Sequence, residues 1–189
     1  KLKRDVRITC IYEGTTEICQ RTVAQDRWRL HLMTRGENYK TLAAEMDQME
    51  QRTPGTGAAG VALVARALAE VMEVCRTRRL TRNQHVLFTL GLLCAHLEVA
   101  AAFCRKVAAG DTGTSRRNIE TLKTMSRLWS RRVTQEVVGE GLAVISGSGA
   151  LAGSALRSFV ELIELDRIHE NLAGNLEDMG EVAKALTDE

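Results

Sequence analysis

The sequence predicts an all-α protein whose helices pack as an antiparallel bundle, preceded by a short extended motif segment. Its 189 residues include one proline, Pro54, and only 4% aromatic residues. Proline breaks helices, so its near absence permits long ones. Few runs of β-branched or aromatic residues alternate with polar ones, which disfavours strands. Apolar residues recur instead at steps of three and four, the period of helices that bury one face.

The first predicted helix follows residues 1–14, which show no helical period and which we interpret as an extended or turn segment. Thr15 or Thr16 can cap this helix, because a hydroxyl accepts a hydrogen bond from an otherwise unpaired backbone N–H. Glu17 then falls in the first turn, where the helix dipole favours a negative charge.

This helix is predicted to end at about residue 51, with a break near Gly36. Residues 52–60 then read RTPGTGAAG, a combination of proline and glycines that is typical of a connection. We therefore predict a linker at this position. It separates residues 1–51, the end of one domain, from an additional helical bundle formed by residues 61–189.

The predicted bundle contains successive helices that each have an apolar stripe. The first ends near Arg79, and Thr81 with Gln84 fits a capping box that opens the second. A last helical stretch is predicted to run through Leu156, Phe159, Ile163 and Ile168 towards Leu186. The stripes are, in chain order, Val61, Val64, Leu68, Val71 and Cys75; Val86, Leu90, Leu93, Leu97, Ala101 and Cys104; Ile119, Leu122, Met125, Trp129, Val133 and Val137; and Leu156, Phe159, Ile163 and Ile168.

The most apolar segment, residues 85–104, approaches the length of a membrane-spanning helix. His96 and Glu98 lie inside it, and Arg105 and Lys106 follow at once. A charge at the centre of a bilayer costs about 3 kcal/mol on insertion scales. The sequence therefore favours a buried helix of the bundle over a membrane span.

Charge and cysteine content argue against several classes of protein. The 26 basic and 24 acidic residues give a net charge of +2, which does not indicate a polyanion-binding field. The five cysteines form no CxxC pair, and no secretory signal opens the sequence, so we expect reduced thiols in a cytosolic or similar compartment. The four histidines show no HxxxH or HExxH spacing, so no metal site is predicted.

Two further features have simpler structural interpretations than functional ones. The glycine-rich stretch at 146–153 follows a helix, which favours a helix–helix connection over a phosphate-binding loop. The arginine pairs at 116–117 and 131–132 are interpreted as solvated helix faces. A nucleic-acid surface is the alternative, and the near-neutral charge argues against it.

Residues 4–18, RDVRITCIYEGTTEI, contain the candidate catalytic chemistry. Glu13 lies between a large apolar side chain and Gly14, and burial would raise its pKa towards the range of a general base. Gly14 permits close approach of a ligand. The backbone N–H groups after Thr15 suit the polar groups of a cofactor. Local chemistry alone favours the simpler interpretation, that Glu13 is a surface glutamate before a helix.

This run resembles the signature of the acyl-CoA dehydrogenase family, R-D-x-R-I-x-x-I-Y-E-G-T-x-E-I. The resemblance implies that Glu13 is the catalytic base, which removes the α-proton of an acyl-CoA thioester while the β-hydrogen leaves as hydride to FAD. It also implies that Gly14 contacts the thioester and that Thr15 and Glu17 lie near FAD. The matching residues are Arg4, Asp5, Arg7, Ile8, Ile11, Tyr12, Glu13, Gly14, Thr15, Glu17 and Ile18.

The resemblance also implies a larger protein. The family signature lies near the end of the catalytic unit, so an N-terminal helical domain, a β-domain and most of a C-terminal four-helix domain are expected to precede it. We therefore expect this piece alone to be inactive and to bind FAD weakly. Cys19 departs from the family pattern, which often continues from the isoleucine directly into Gln-Arg.

The predicted bundle resembles the C-terminal extensions of very-long-chain-type and some bacterial acyl-CoA dehydrogenases, which implies packing, dimerisation or membrane docking. Residues 138–149, VGEGLAVISGSG, resemble the stretch that precedes the signature in the family, and residues 166–170 echo residues 5–9. These echoes suggest that the bundle is a decayed copy of the catalytic helical domain without the YEGT run.

Several functions follow from this resemblance. The first is part of an acyl-CoA dehydrogenase, with electron-transfer flavoprotein as electron acceptor. The second is a non-catalytic helical module for interaction, and the third is a family member repurposed for nucleic-acid association. A homodimer, a peripheral membrane contact and a cytoplasmic or mitochondrial matrix location are further expectations of the resemblance. These residues do not specify the acyl chain length.

Overall fold

The computed structural model describes residues 16–111 and 118–187, and within these ranges the chain is helical without a strand. The predicted all-α bundle is confirmed. The predicted extended segment at 1–14 lies outside the described residues. A 3₁₀ helix, Leu80–Arg82, lies between the third and fourth of the α-helices, which are α1 (Thr16–Thr34), α2 (Glu37–Arg52), α3 (Ala58–Thr77), α4 (Gln84–Ala108), α5 (Ile119–Gly147), α6 (Gly153–Leu162), α7 (Leu165–Glu170) and α8 (Asn175–Thr187).

Helix α3 lies at the centre of the bundle. It contacts α1, α2, α4, α5 and α7, and its predicted stripe from Val61 to Cys75 is buried. Its alanines at 62, 65, 67 and 69 are buried as well, so the helix is apolar on nearly all sides, as expected for a core helix. The short connections on both sides of α3 make α2 and α4 its antiparallel neighbours.

The break predicted near Gly36 is confirmed. Arg35 has φ 55° and Gly36 has φ 84°, both in the left-handed region, and α2 begins directly afterwards. Glycine adopts this conformation without the penalty that a Cβ imposes. The side chains of Tyr39, Ala43 and Met46 then face the same core as α3.

Helix α4 is long and apolar enough to cross a membrane by length and composition. In the structure it packs against α1, α3 and α5, and its predicted stripe is buried. The two polar residues inside the predicted span, Glu98 and His96, face polar groups of neighbouring helices. Glu98 accepts two hydrogen bonds from the Arg27 guanidinium, at 2.6 and 2.8 Å, and one from the Tyr39 hydroxyl at 3.2 Å. His96 Nδ1 lies 3.0 Å from a carboxylate oxygen of Glu136.

The buried stripe predicted for α5 was partly wrong. Met125 and Trp129, assigned to its buried stripe, are only half-buried, whereas Ser126 and Ser130 are buried. Small side chains occupy this face because α3 approaches closely: a Cβ at Gly60 would lie 2.8 Å from Ser130 Oγ. Apolar periodicity alone could not reveal that approach.

The capping box predicted at Thr81 was wrong. Thr81 lies in the 3₁₀ helix, and the cap of α4 is Asn83, whose side chain accepts a hydrogen bond from the His85 N–H at 2.9 Å. The last helical stretch consists of three helices, α6, α7 and α8. The chain turns at Glu164, with φ 55°, and at Gly174, with φ 77°, and left-handed residues cannot continue a right-handed helix.

The predicted linker is a short, ordered connection. Helix α2 ends at Arg52 and α3 begins at Ala58, so the last three of residues 52–60 are helical. Thr56 is fully buried. The division into residues 1–51 and 61–189 stays a prediction.

Candidate functional site

The predicted site residues lie at the edge of the described structure. Glu13, Gly14 and Thr15 are outside the described residues. Glu17 is exposed in the first turn of α1, which begins at Thr16. This position agrees with the predicted first-turn carboxylate.

The described part of the chain contains a second segment with the spacing of the motif. In the motif, the Arg-Ile pair at 7–8 is followed, after five residues, by Gly14. The Arg-Ile pair at 167–168 is followed, after five residues, by Gly174. A glutamate stands three positions beyond the glycine in both cases. We call residues 167–178 the counterpart segment.

In this register Ala173 stands where the motif has Glu13. The register differs by one position from the echo of residues 5–9 by residues 166–170 noted above, and it pairs more identical residues. A methyl side chain cannot accept a proton. The counterpart segment therefore lacks the group on which the catalytic interpretation of the motif depends.

Two arginines of α5 hold the counterpart segment in place. Arg131 donates to the backbone carbonyl of Asn171 at 3.1 Å, to that of Ala173 at 2.7 Å and to the Asp178 carboxylate. Arg127 donates to Asp178 through Nε at 2.8 Å and to the Gly55 carbonyl at 3.1 Å. The segment, α5 and the α2–α3 connection thus meet at one cluster of hydrogen bonds.

Asp178 is the charged centre of this cluster and is only 6% exposed. The hydrogen bond from Arg127 is the main cause that lowers its pKa below the ordinary value, and Arg131 adds to it; burial opposes both. A carboxylate held ionised by two guanidinium groups is a poor proton acceptor near neutral pH. The arrangement therefore fits an anchor and not a general base.

The glycine-rich connection between α2 and α3 is also closed to an external anion. The two Glu50 carboxylate oxygens accept hydrogen bonds from the N–H of Gly55 at 2.8 Å and of Ala59 at 3.3 Å. The Ala59 N–H, in the first turn of α3, is one of the donors that a helix N-terminus would otherwise offer to a phosphate. Cys104 Sγ also donates to the Thr56 carbonyl at 3.4 Å.

Sequence reasoning missed this cluster because its members are far apart in the chain. The pair at 131–132 was interpreted as a solvated helix face, which is wrong for one member: the Arg131 side chain is 13% exposed, whereas Arg132 is exposed. No local pattern distinguishes the two. The equal spacing of the two Arg-Ile pairs was the signal that could have identified the segment that Arg131 holds. The pair at 116–117 lies outside the described residues.

Comparison with known proteins shows which family the helical part of the chain resembles. The model of the family "Acyl-CoA dehydrogenase, C-terminal domain" matches residues 42–180, from α2 into α8. No curated protein and no solved structure matches significantly. The matched stretch includes the counterpart segment up to Gly180, and the motif at 4–18 precedes it. Because the match covers well over half of the chain, the protein belongs to the acyl-CoA dehydrogenase family.

Proposed function

We propose that this chain is the C-terminal part of a flavin-dependent acyl-CoA dehydrogenase, with Glu13 as the catalytic base. The observation that carries the proposal is the family match over residues 42–180. The signature at 4–18 supports it, because it precedes the matched helices in the same chain. Proteins of this family are generally FAD-dependent and act on acyl-CoA substrates.

In the proposed reaction the chain's contribution is proton removal. The Glu13 carboxylate accepts the α-proton of the thioester, and bound FAD supplies an acceptor for the hydride that leaves the β-carbon. Gly14, which lacks a Cβ, leaves room for the thioester. Among described residues, exposed Glu17 at the start of α1 fits the proposed place beside the cofactor. The N-terminus of α3 does not fit a pyrophosphate, because Glu50 occupies it.

The helices of the predicted bundle, residues 61–189, have a different proposed role. We infer that they form a non-catalytic copy of the family domain, which packs on the catalytic unit, on a second subunit or on a membrane. The support is the match to the C-terminal domain model together with Ala173 at the position of Glu13. Electron-transfer flavoprotein as acceptor, a homodimer and a cytoplasmic or mitochondrial matrix location remain predictions.

The test of the catalytic proposal is an anaerobic titration of the protein extended upstream by the expected FAD-binding parts. Acyl-CoAs of several chain lengths are added while the flavin absorption band is followed. We expect bleaching that depends on chain length and that disappears in Glu13→Gln. Glu177→Gln, a matched change at an exposed glutamate of the counterpart segment, should bleach normally. A flavin-loaded protein that no acyl-CoA bleaches would contradict the proposal and favour the repurposed family member.

The test of the packing role uses the 189-residue chain. Sedimentation equilibrium and flotation with vesicles separate self-association, membrane binding and neither. Binding to a duplex DNA of arbitrary sequence tests the nucleic-acid alternative, which the net charge of +2 disfavours. Tight, salt-dependent DNA binding without self-association would overturn the packing role.

A further inference from the structure

Helix α1 connects the signature at residues 4–18 to the bundle. It begins at Thr16, three residues after Glu13. Within the described structure it makes most of its contacts with α4, which lies beyond the predicted linker. The contacts that fix α1 on α4 therefore also fix the point at which the signature joins the bundle.

Helix α1 is attached through few buried side chains. Ala24 and His31 are the buried residues of this 19-residue helix, and Trp28 packs on the core while half-buried. Ala24 lies directly against the backbone of α4, since a Cβ at Gly91 would be 2.6 Å from the Ala24 Cβ. His31 Nε2 lies 3.3 Å from a carboxylate oxygen of Glu73 on α3. The orientation of α1 thus depends on a small number of contacts, some of them polar.

The best-defined polar contact joins Arg27 of α1 to Glu98 of α4. Arg27 Nε donates to one carboxylate oxygen at 2.6 Å and Nη2 donates to the other at 2.8 Å, which is a bidentate pair. The Tyr39 hydroxyl of α2 donates to the same carboxylate at 3.2 Å. The two charged side chains are 31% and 35% exposed, so the pair contributes more to geometry than to stability.

The close contact between Ala24 and Gly91 can act as a pivot for α1. Thr16 lies about 12 Å from Ala24 along the helix, at roughly 1.5 Å per residue, so a rotation of about 5° would move it by about 1 Å. A displacement of about 1 Å at a catalytic group can lower a rate about a hundredfold. The Arg27–Glu98 pair, one turn beyond the pivot, restrains this rotation.

We propose that Arg27 and Glu98 are positioning residues, whose pair sets the orientation of α1 on the bundle and thereby the place of Glu13 against the substrate. The inference rests on the proposed function, because it takes Glu13 as the base. It adds that the bundle supports the reaction through α1, besides its packing role. Neither Arg27 nor Glu98 is assigned a contact with substrate or flavin.

The experiment uses the protein extended upstream by the expected FAD-binding parts. Anaerobic stopped flow gives the rate constant of flavin reduction at saturating acyl-CoA and the acyl-CoA concentration at half-saturation. We expect Glu98→Gln and Arg27→Gln to lower the rate constant at least about tenfold, with flavin content and the half-saturating concentration unchanged. Arg27→Lys keeps the charge but not the bidentate geometry, so its rate constant should lie between those of Arg27→Gln and the unchanged protein.

Arg105→Gln is the matched control. Arg105 of α4 donates to both carboxylate oxygens of Glu45 on α2, at 2.6 and 2.8 Å. This variant therefore breaks a bidentate pair on the same helix that does not include α1, and its flavin should be reduced at the unchanged rate. The double variant Arg27→Gln with Glu98→Gln should be no slower than either single variant, because each already removes the same contact.

Hydrogen exchange of the 189-residue chain tests the anchoring of α1 without catalysis. The protection of α1 should fall in Glu98→Gln and stay unchanged in Arg105→Gln, and that of α3 should be unchanged in both. Unchanged protection of α1 in Glu98→Gln would overturn the proposal.

The kinetic results separate this proposal from the proposed function. If the flavin is reduced equally fast in the unchanged protein and in Glu98→Gln, the positioning role fails while the proposed reaction stands. An equal loss of rate in Arg105→Gln would assign the effect to the stability of the bundle and also overturn the proposal. If no acyl-CoA reduces the unchanged protein, the proposed reaction fails and the positioning role fails with it. Should Glu98→Gln not fold, as judged by far-UV circular dichroism, the milder Arg27→Lys decides the question.

Discussion

Helices α3 and α8 are held in the bundle by different forces. In α3, 13 of 20 residues are buried, most of them apolar. In α8, Asp178 is the buried residue among those described, and it is fixed by Arg127 and Arg131. Apolar burial is non-directional and spread over many contacts, whereas an ion pair depends on one geometry and on charge. The comparison predicts that a destabilising substitution in α3 weakens the whole bundle, whereas one in α8 affects that helix alone.

The exposed side of α8 strengthens this contrast. Leu176 is 81% exposed, Met179 52% and Leu186 55%, and these residues lie on one face of the helix. These three apolar side chains thus contribute little to the docking of α8. Its attachment relies on the cluster around Asp178.

The largest effect is expected from Leu68→Ala in α3. Leu68 is fully buried, and truncation of such a leucine removes transfer free energy and leaves a cavity. We expect a loss of about 3 kcal/mol in the free energy of unfolding, measured by urea denaturation. The control is Leu176→Ala in α8, which should change it by less than about 0.5 kcal/mol. An equal loss of unfolding free energy in both variants would contradict the view that apolar burial holds α3 but not α8.

Asp178→Ala should detach α8 while the rest of the bundle stays folded. Removing this carboxylate leaves two partly buried guanidinium groups without their partner, at a cost of about 2–3 kcal/mol. Hydrogen exchange by mass spectrometry should show faster exchange in 175–187 and unchanged protection in α3. Glu177→Ala, its exposed neighbour, should leave both regions as they were. Global unfolding of the Asp178 variant would show that α8 belongs to the core unit.

The docking of α8 should also depend on pH. The pKa of Asp178 is lowered in the folded chain, so its contribution is complete above the unfolded pKa of about 3.9. That contribution is lost as the pH falls below this value towards the lowered folded pKa. Below about pH 4, the protection factors of the α8 amides, which correct for the slower intrinsic exchange in acid, should therefore fall before those of α3. Asp178→Asn should remove this difference in pH dependence between the two helices.

The smallest effects are expected from a matched pair of glycines. A Cβ at Gly60 in α3 would lie 2.5 Å from the Asn171 amide and 2.8 Å from Ser130 Oγ, whereas nothing lies within 4 Å at Gly180 in α8. Gly60→Ala should lower the free energy of unfolding by about 1 kcal/mol, because the side chains of Asn171 and Ser130 must move. Gly180→Ala should stabilise α8 by up to about 1 kcal/mol through helix propensity. Stability is measured by urea denaturation and by hydrogen exchange. If both glycine variants were stabilised or both destabilised, the described packing around Gly60 and Gly180 would be contradicted.

The same contrast explains which parts of the fold were predictable from sequence. The stripes of α3 and α4 were assigned correctly, because apolar periodicity reports directly on buried helix faces. The interior of α5 was not, since Ser126 and Ser130 are small and polar and their burial follows from the approach of α3. The turn at Glu164 has no local signal, because glutamate rarely adopts a left-handed conformation.

Only part of the candidate site was predictable from the sequence. The family followed from residues 4–18, and the match at 42–180 confirms it through other residues. The anchor of Asp178 was missed, because its partners on α5 are remote in sequence and no spacing rule connects them. The roles of Glu13, Gly14 and Thr15 rest on the signature.

The Glu50 carboxylate has a consequence for how the chain resists proteases. Its hydrogen bonds to the N–H of Gly55 and Ala59 tie down a segment whose composition resembles that of a cleavable hinge. A protease needs an extended, accessible stretch of backbone, and here Thr56 is fully buried. Limited digestion should therefore leave residues 53–57 intact, and α2 should be recovered on the same fragment as α3.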